Sequence, residues 1–212
     1  MDPRWQHTVR EWATAWAAVR GLESETDGAA VVTFPDEDHI RREYLAAWPG
    51  ADAARIAVLA AQTPDSALIL ATADPDGTRA FASEHGLSPA ASAVLLTATT
   101  DSMDQEPALP ADGNLSSAAL DLYDVVEISV FDRPVATGRL RVEDSAAVIG
   151  GITAPGPGPA GELEAAVLAA LAGEAAIQGI GTLYTIAGRE QASRYTATGW
   201  TKTADLITFQ SL

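Results

Sequence analysis

The part of this chain that most restricts its fold is Ser145 to Ile152, read as a strand, which runs through Thr153-Ala-Pro-Gly-Pro-Gly-Pro-Ala-Gly161 straight into Glu162-Leu-Glu-Ala-Ala-Val-Leu-Ala-Ala-Leu-Ala-Gly-Glu-Ala-Ala176. A strand, a glycine-rich loop and an amphipathic helix in succession aim backbone N–H groups and the positive end of the helix at one point, where an anion such as a pyrophosphate is stabilised. The same residues also read as a plain surface loop ahead of a helix. The loop taken alone does not choose between the two.

Composition narrows the choice. The 212 residues are 47% hydrophobic, enough for one large or two small domains with a substantial core. The longest apolar runs, Ala57 to Ala61 and Ala165 to Ala172, fall short of the roughly 18–20 residues that cross a bilayer. Met1-Asp-Pro-Arg-Trp5 lacks the order of a signal peptide, so the expectation is a cytoplasmic chain with no membrane partner. With no cysteine, disulfides, thiolate nucleophiles and cysteine metal sites are excluded. His7, His39 and His85 lie far apart without ligand spacing, and no metal site is expected. A formal net charge of −16 argues against nucleic acid as a partner. It admits a cationic substrate, and it equally reads as simple solubility.

Trp5, Val9, Trp12, Trp16 and Val19 recur at helical spacing, which puts three of the five tryptophans on one stripe. Docking on the core of the monomer is the first expectation for that stripe; a contact between two copies in a homodimer and the wall of a substrate groove are the others. Residues 29–34 read as a strand, and Pro35-Asp-Glu-Asp as the cap of a helix through about Trp48. Helices over 52–61 and 76–85 and strands at 68–72 and 93–97 complete an alternating α and β half. Residues 101–117 carry prolines, acids and small polar residues without periodicity, as a linker does. Beyond them, 125–131 and 135–142 pair as a hairpin around Asp132-Arg-Pro134. After the helix at 162–176 come a strand at 182–186, a helix at 189–198 stopped by Gly199, and a last strand at 204–209.

The order strand, strand, strand, glycine loop, helix, strand, helix, strand over residues 125–212 resembles the GNAT acetyltransferase superfamily. Thr153-Ala-Pro155 resembles its Thr-x-Pro at the end of the fourth strand, and Gly161 stands where the last glycine of its pyrophosphate loop would be. Tyr195-Thr-Ala-Thr-Gly199-Trp200 resembles its Tyr-x-x-x-Gly-Phe signature, with tryptophan for phenylalanine. The resemblance implies an α/β (α+β) fold, a mixed and mainly antiparallel sheet flanked by helices. Its units would be an N-terminal α/β region at 1–100, the linker 101–117 and a GNAT-like domain at 118–212. It further implies acetyl-CoA as co-substrate, with the pantetheine arm along Ile152 and Thr153. Gly158, Ala160, Gly161 and Glu162 would face the pyrophosphate. The acceptor would be a primary amine on a small molecule or peptide, and Tyr195 the general acid for the leaving thiolate.

The chain departs from that pattern in ways that bear on the cofactor. Gly158 replaces the arginine or glutamine that opens the family's loop, and Pro157 and Pro159 have no N–H to donate. Glu162 suits the helix dipole of an empty site and repels a bound diphosphate if turned inward. The family's usual asparagine and alanine before the tyrosine are Gly188 and Gln191 here. For a general base, Glu127 within strand 125–131 is the candidate, against Glu143 and Asp144 at a turn; a solvated strand-face glutamate is the competing reading. A repeat is also visible: Leu70-Ala-Thr-Ala-Asp74, a helix, Gly86-Leu87 and Val94-Leu95 align at constant offset with Leu183-Tyr-Thr-Ile-Ala187, a helix, Gly199-Trp200 and Ile207-Thr208. The N-terminal half then reads as a worn GNAT-like half. The alternative to an enzyme is a non-catalytic module of the same fold with a weakened or lost CoA site.

Overall fold

The computed structural model describes residues 3–36, 41–154 and 160–211. In chain order they form α1 (Pro3–Val19), β1 (Ser24–Asp27), β2 (Ala30–Thr33), β3 (Arg42–Trp48), α2 (Ala53–Gln62), β4 (Ser66–Thr72), α3 (Pro75–Glu84) and β5 (Leu87–Thr99). A short 3-10 turn at Thr100–Ser102 leads to β6 (Gly113–Ala119), β7 (Asp124–Val130), β8 (Arg133–Glu143), β9 (Ala146–Thr153), α4 (Ala160–Ile177), β10 (Thr182–Ala187), α5 (Arg189–Thr196) and β11 (Thr201–Ser211). The strands make one sheet in the order β1-β2-β3-β4-β11-β5-β10-β9-β8-β7-β6.

That order is a palindrome about β11 and β5, apart from the added β6. Each half runs strand, strand, strand, helix, strand, helix, strand, with its third and fourth strands parallel: β3 with β4, and β9 with β10. The last strand of each half crosses into the other, since β11 lies between β4 and β5, and β5 lies between β11 and β10. The repeat seen at constant offset therefore corresponds to repeated topology. Of residues 101–117, the last five, 113–117, belong to the edge strand β6.

Two helix layers cover the sheet. Helix α1 lies on one face, where Val9, Trp12 and Val19 pack with Val31, Leu45, Ile69, Leu95, Val148 and Leu206 from both halves. The opposite face carries α2 and α3 over Leu68, Leu70, Ile207 and Phe209, and α4 and α5 over Leu96, Ile128, Leu140 and Ile149. Alternation of side chains along a strand explains the split: on β4, Leu68 and Leu70 meet α2 while Ile69 and Ala71 face the α1 layer. The tryptophan stripe thus docks within the monomer, with Trp12 only 1% exposed.

The helix expected to run from Pro35 through about Trp48 is corrected: residues 42–48 are β3, while 37–40 lie outside the described residues. Tyr44 and Ala46 pack toward α2, and Leu45 and Ala47 toward α1. A strand buried on both faces reads as a continuous apolar run, and such a short run has no period that separates strand from helix.

The β7–β8 hairpin turns at Phe131 and Asp132, both with positive φ, the geometry of a two-residue type I′ turn. Farther along, β8 and β9 are out of step: Gly151 and Ile152 of β9 oppose the single Gly138 of β8, a β-bulge. Gly151 has φ +58, and a Cβ there would lie 2.9 Å from Arg139 Cδ, so the bulge requires glycine. At Gly138 a Cβ would sit 2.4 Å from Val167 Cγ1 and 2.9 Å from Leu171 Cδ1. Gly138→Ala is expected to push α4 off the sheet and cost about 1–3 kcal/mol in urea denaturation. Gly161→Ala, where a Cβ would meet nothing within 4 Å, is the control and should be neutral or slightly stabilising.

Candidate acyl-transfer site

The two parallel strand pairs end differently. In the N-terminal half, β3 and β4 pair from Arg42↔Ser66 to Trp48↔Thr72, the full length of both strands. In the C-terminal half the pairing of β9 with β10 stops at Ile149↔Thr185, where the Thr185 hydroxyl donates to the Ile149 carbonyl at 3.1 Å. Residues 150–153 continue as strand, held by β8 on one side; among the described residues no strand pairs with them on the other. Strand β10 meanwhile continues against β5 through Ala187↔Val94. Among the described residues this leaves a crevice without a pairing strand between the carboxyl ends of β9 and β10, with the main chain of 150–153 along one wall.

Residues 49–52 connect β3 to α2, and the Asp52 carboxylate accepts the Ala29 N–H at 2.7 Å and the Arg55 Nε proton at 3.3 Å. Arg55 in turn reaches Asp27 at 2.8 Å, which ties α2 to the β1–β2 turn. The Ala29 N–H, and to a lesser degree Arg55, hold the Asp52 carboxyl below the usual carboxylate range. A lowered folded pKa supplies stability that is present above the ordinary range and disappears as pH falls through the lowered value. Asp52→Ala should therefore lower stability by about 1 kcal/mol at neutral pH and reduce the slope of the acid limb in a pH series of urea melts.

In the C-terminal half α4 begins at Ala160. Gly161 and Glu162 are exposed in its first turn. Of the residues expected to hold acetyl-CoA, Ile152 and Thr153 lie where β9 runs on past its pairing with β10. Ile152 packs toward α4, near Gly138, and the Thr153 Oγ1 lies 2.8 Å from Thr137 Oγ1 on β8. Ala160 begins α4, and Gly158 lies outside the described residues.

Tyr195 lies in α5 and is 5% exposed, its ring stacked on Trp200 at 6.0 Å. Its hydroxyl donates to Glu164 Oε1 of α4 at 2.5 Å. Gln191 Nε2 donates to the same oxygen at 2.7 Å and to the Tyr195 hydroxyl at 3.0 Å. Arg194 Nη2 stands 4.0 Å from Glu164 Oε2. Burial, and then the hydrogen bond to Glu164, raise the Tyr195 hydroxyl far above the ordinary tyrosine range, so it stays protonated. Because α4 and α5 each follow one of the two parallel strands, this cluster bridges the helices that flank the open pair.

Glu127 stands on the other face of the sheet. Val126 and Ile128 point into the core under α4, so the alternation turns Glu127 the opposite way. It forms a polar row with Ser116, Thr137 and Thr153 across β6, β7, β8 and β9. Two strand spacings of ~4.8 Å separate it from β9, about 10 Å in all. Glu127 and Tyr195 therefore stand on opposite faces of the sheet and are not in contact. Glu164, Arg194 and the hydrogen-bonding role of Gln191 were not anticipated from the sequence. The available signal was an acid, Glu164, four residues before the buried Leu168 and so beside the apolar stripe of α4.

Solved structures share this architecture. The GCN5-related N-acetyltransferase from Kribbella flavida aligns at TM-score 0.71 and 19% identity, over 97% of this chain and 95% of that one. The chain has the GNAT fold. A tandem GNAT protein from the clavulanic acid biosynthesis pathway aligns at TM-score 0.62 and 10% identity, over 97% of this chain and 93% of that one. A GCN5-related N-acetyltransferase from Sphaerobacter thermophilus gives 0.59 at 12% identity, over 85% and 75%. No protein-family model and no curated protein matches the chain by sequence. The expected mixed, mainly antiparallel sheet flanked by helices is therefore found. Among the described residues no helix is long and apolar enough to cross a membrane.

Proposed function

We propose that this protein transfers an acetyl group from acetyl-CoA to a primary amine, using the open end of β9 and β10 in its C-terminal half. The observation that carries this reading is the asymmetry of the two parallel pairs: β3 and β4 are zipped to their ends, while β9 runs on past its last pairing with β10 at Ile149↔Thr185. An extended pantetheine arm carries amides, and a strand edge with free main-chain groups offers them the pairing that a neighbouring strand would. Among the described residues, 150–153 have no strand paired on the β10 side and supply such an edge. The N–H groups of the first turn of α4, beginning at Ala160 and Gly161, suit the diphosphate. Glu162 in that turn works against it, so a modest affinity is expected.

In the reaction the amine nitrogen attacks the thioester carbonyl, the N–C bond forms and the C–S bond breaks. The Tyr195 hydroxyl gives its proton to the leaving sulfur, and the amine sheds a proton to Glu127 through water, since about 10 Å separates Glu127 from β9. Solvent then restores both side chains. The net charge of −16 favours a cationic acceptor.

The test is release of CoA thiol from acetyl-CoA with a panel of primary amines, neutral and cationic. The chain has no cysteine, so a thiol reagent reads only the product. Release that depends on the amine supports the reading. A panel that gives none, together with no thermal shift by acetyl-CoA, points instead to a non-catalytic module of the same fold.

A further inference from the structure

A tyrosine hydroxyl has one proton and two acceptor lone pairs. In Tyr195 the proton goes to Glu164 Oε1 at 2.5 Å, and one lone pair receives the Gln191 Nε2 proton at 3.0 Å. Gln191 also donates to Glu164 Oε1, so three side chains from two helices close one triangle. Trp200 covers the ring, and Glu164 itself is 17% exposed. The donor capacity of the hydroxyl is fully used within the triangle, and the carboxylate that uses it is the stronger acceptor of the two neighbours.

We propose that Glu164 competes with the departing thiolate for the single proton of Tyr195, so that this α4–α5 clasp restrains the acetyl-transfer step. The inference rests on the transferase reading above. Glu164 acts through Tyr195 and is a positioning residue. The clasp has a built-in release: Arg194 Nη2 is 4.0 Å from Glu164 Oε2 and its side chain is 63% exposed, so a small turn of the carboxylate toward Arg194 frees the hydroxyl. The transfer step keeps its balance. The sulfur takes the Tyr195 proton once Glu164 has let it go, and no further reactant is needed.

Glu164→Gln removes the charge and keeps the shape; Glu164→Ala serves if the glutamine variant is unstable. Two readouts are compared with Tyr195→Phe and the double variant. The first is alkaline ultraviolet titration of tyrosinate, which needs no substrate. The late-titrating tyrosine, identified by its loss in Tyr195→Phe, should move down by about one pH unit or more in Glu164→Gln. The second is thiol release from acetyl-CoA with a primary amine. Here kcat should rise about tenfold in Glu164→Gln, the order expected for freeing a charge-assisted hydrogen bond, with KM little changed. The rise should vanish in the double variant.

An unmoved titration overturns the clasp whatever the assay gives. A fall of Glu164→Gln to the level of Tyr195→Phe overturns the restraint and makes Glu164 a supporting group instead. If no protein releases thiol while the titration shift is intact, the transferase reading fails and with it the restraint, leaving Glu164 as a tie between two helices.

Discussion

Replacing Trp12 by alanine is expected to destabilise the protein by about 3–5 kcal/mol, the cost of deleting a large buried ring. Trp12 is 1% exposed and packs among Val31, Leu45, Ile69, Leu95, Val148 and Leu206, so its cavity would open under strands of both halves at once. Against a typical total of about 5–15 kcal/mol, that loss approaches unfolding. Trp12→Phe should be far milder. Its indole Nε1 is buried without a hydrogen-bond partner among the described residues, and phenylalanine removes that unsatisfied donor along with some volume. Urea denaturation of both variants measures the difference. If Trp12→Ala left the midpoint unchanged and dissociated an oligomer instead, α1 would be a contact between copies rather than the element that joins the two halves.

The second large effect concerns the reaction. Tyr195→Phe is expected to lower kcat by roughly ten- to a hundredfold and to leave KM for acetyl-CoA nearly unchanged, because the hydroxyl acts only as the sulfur departs. The size sits at or below the low end of general-acid effects, since part of the hydroxyl's donor strength is already committed to Glu164. The pH profile carries a matching sign. A raised tyrosine pKa keeps the donor protonated, so kcat of the parent protein should not fall on the alkaline side through the ordinary tyrosine range near pH ~10. In Glu164→Gln the alkaline fall should appear earlier, because the proton is then lost more easily. Stopped assays of thiol release across an alkaline series would show both.

How much of this was legible in the sequence depends on the range of the interaction. Much of the C-terminal half was readable because its signals are local: the β7–β8 hairpin, expected around Asp132-Arg-Pro134 and turning at Phe131 and Asp132, the helix that follows β9, and Gly199 after α5. The exchange of β5 and β11 was not readable. It is set by pairing between residues about a hundred positions apart, and neither strand carries a mark of its neighbour. Strand β3 was mistaken for a helix because burial on both faces erased its period. The open end of β9 is still less visible, being a place where pairing stops. What the residues did supply there was glycine at 150 and 151, where a Cβ would run into Val19 and Arg139 respectively. The candidate site was legible as two motifs and silent on their partners: Tyr195 was singled out, while Glu164, which holds its proton, passed as one more acid on a helix.

The claim that one half is open and the other closed meets its most direct test in calorimetric titration with acetyl-CoA. A single site per chain is expected. A Gly161→Glu substitution, which meets nothing within 4 Å at its Cβ and sets a second carboxylate at the first turn of α4 where the diphosphate would lie, is expected to abolish that binding. Binding of two equivalents would contradict the closure of β3 and β4. Absence of any heat at millimolar acetyl-CoA would contradict the crevice at β9 and β10 as a cofactor site.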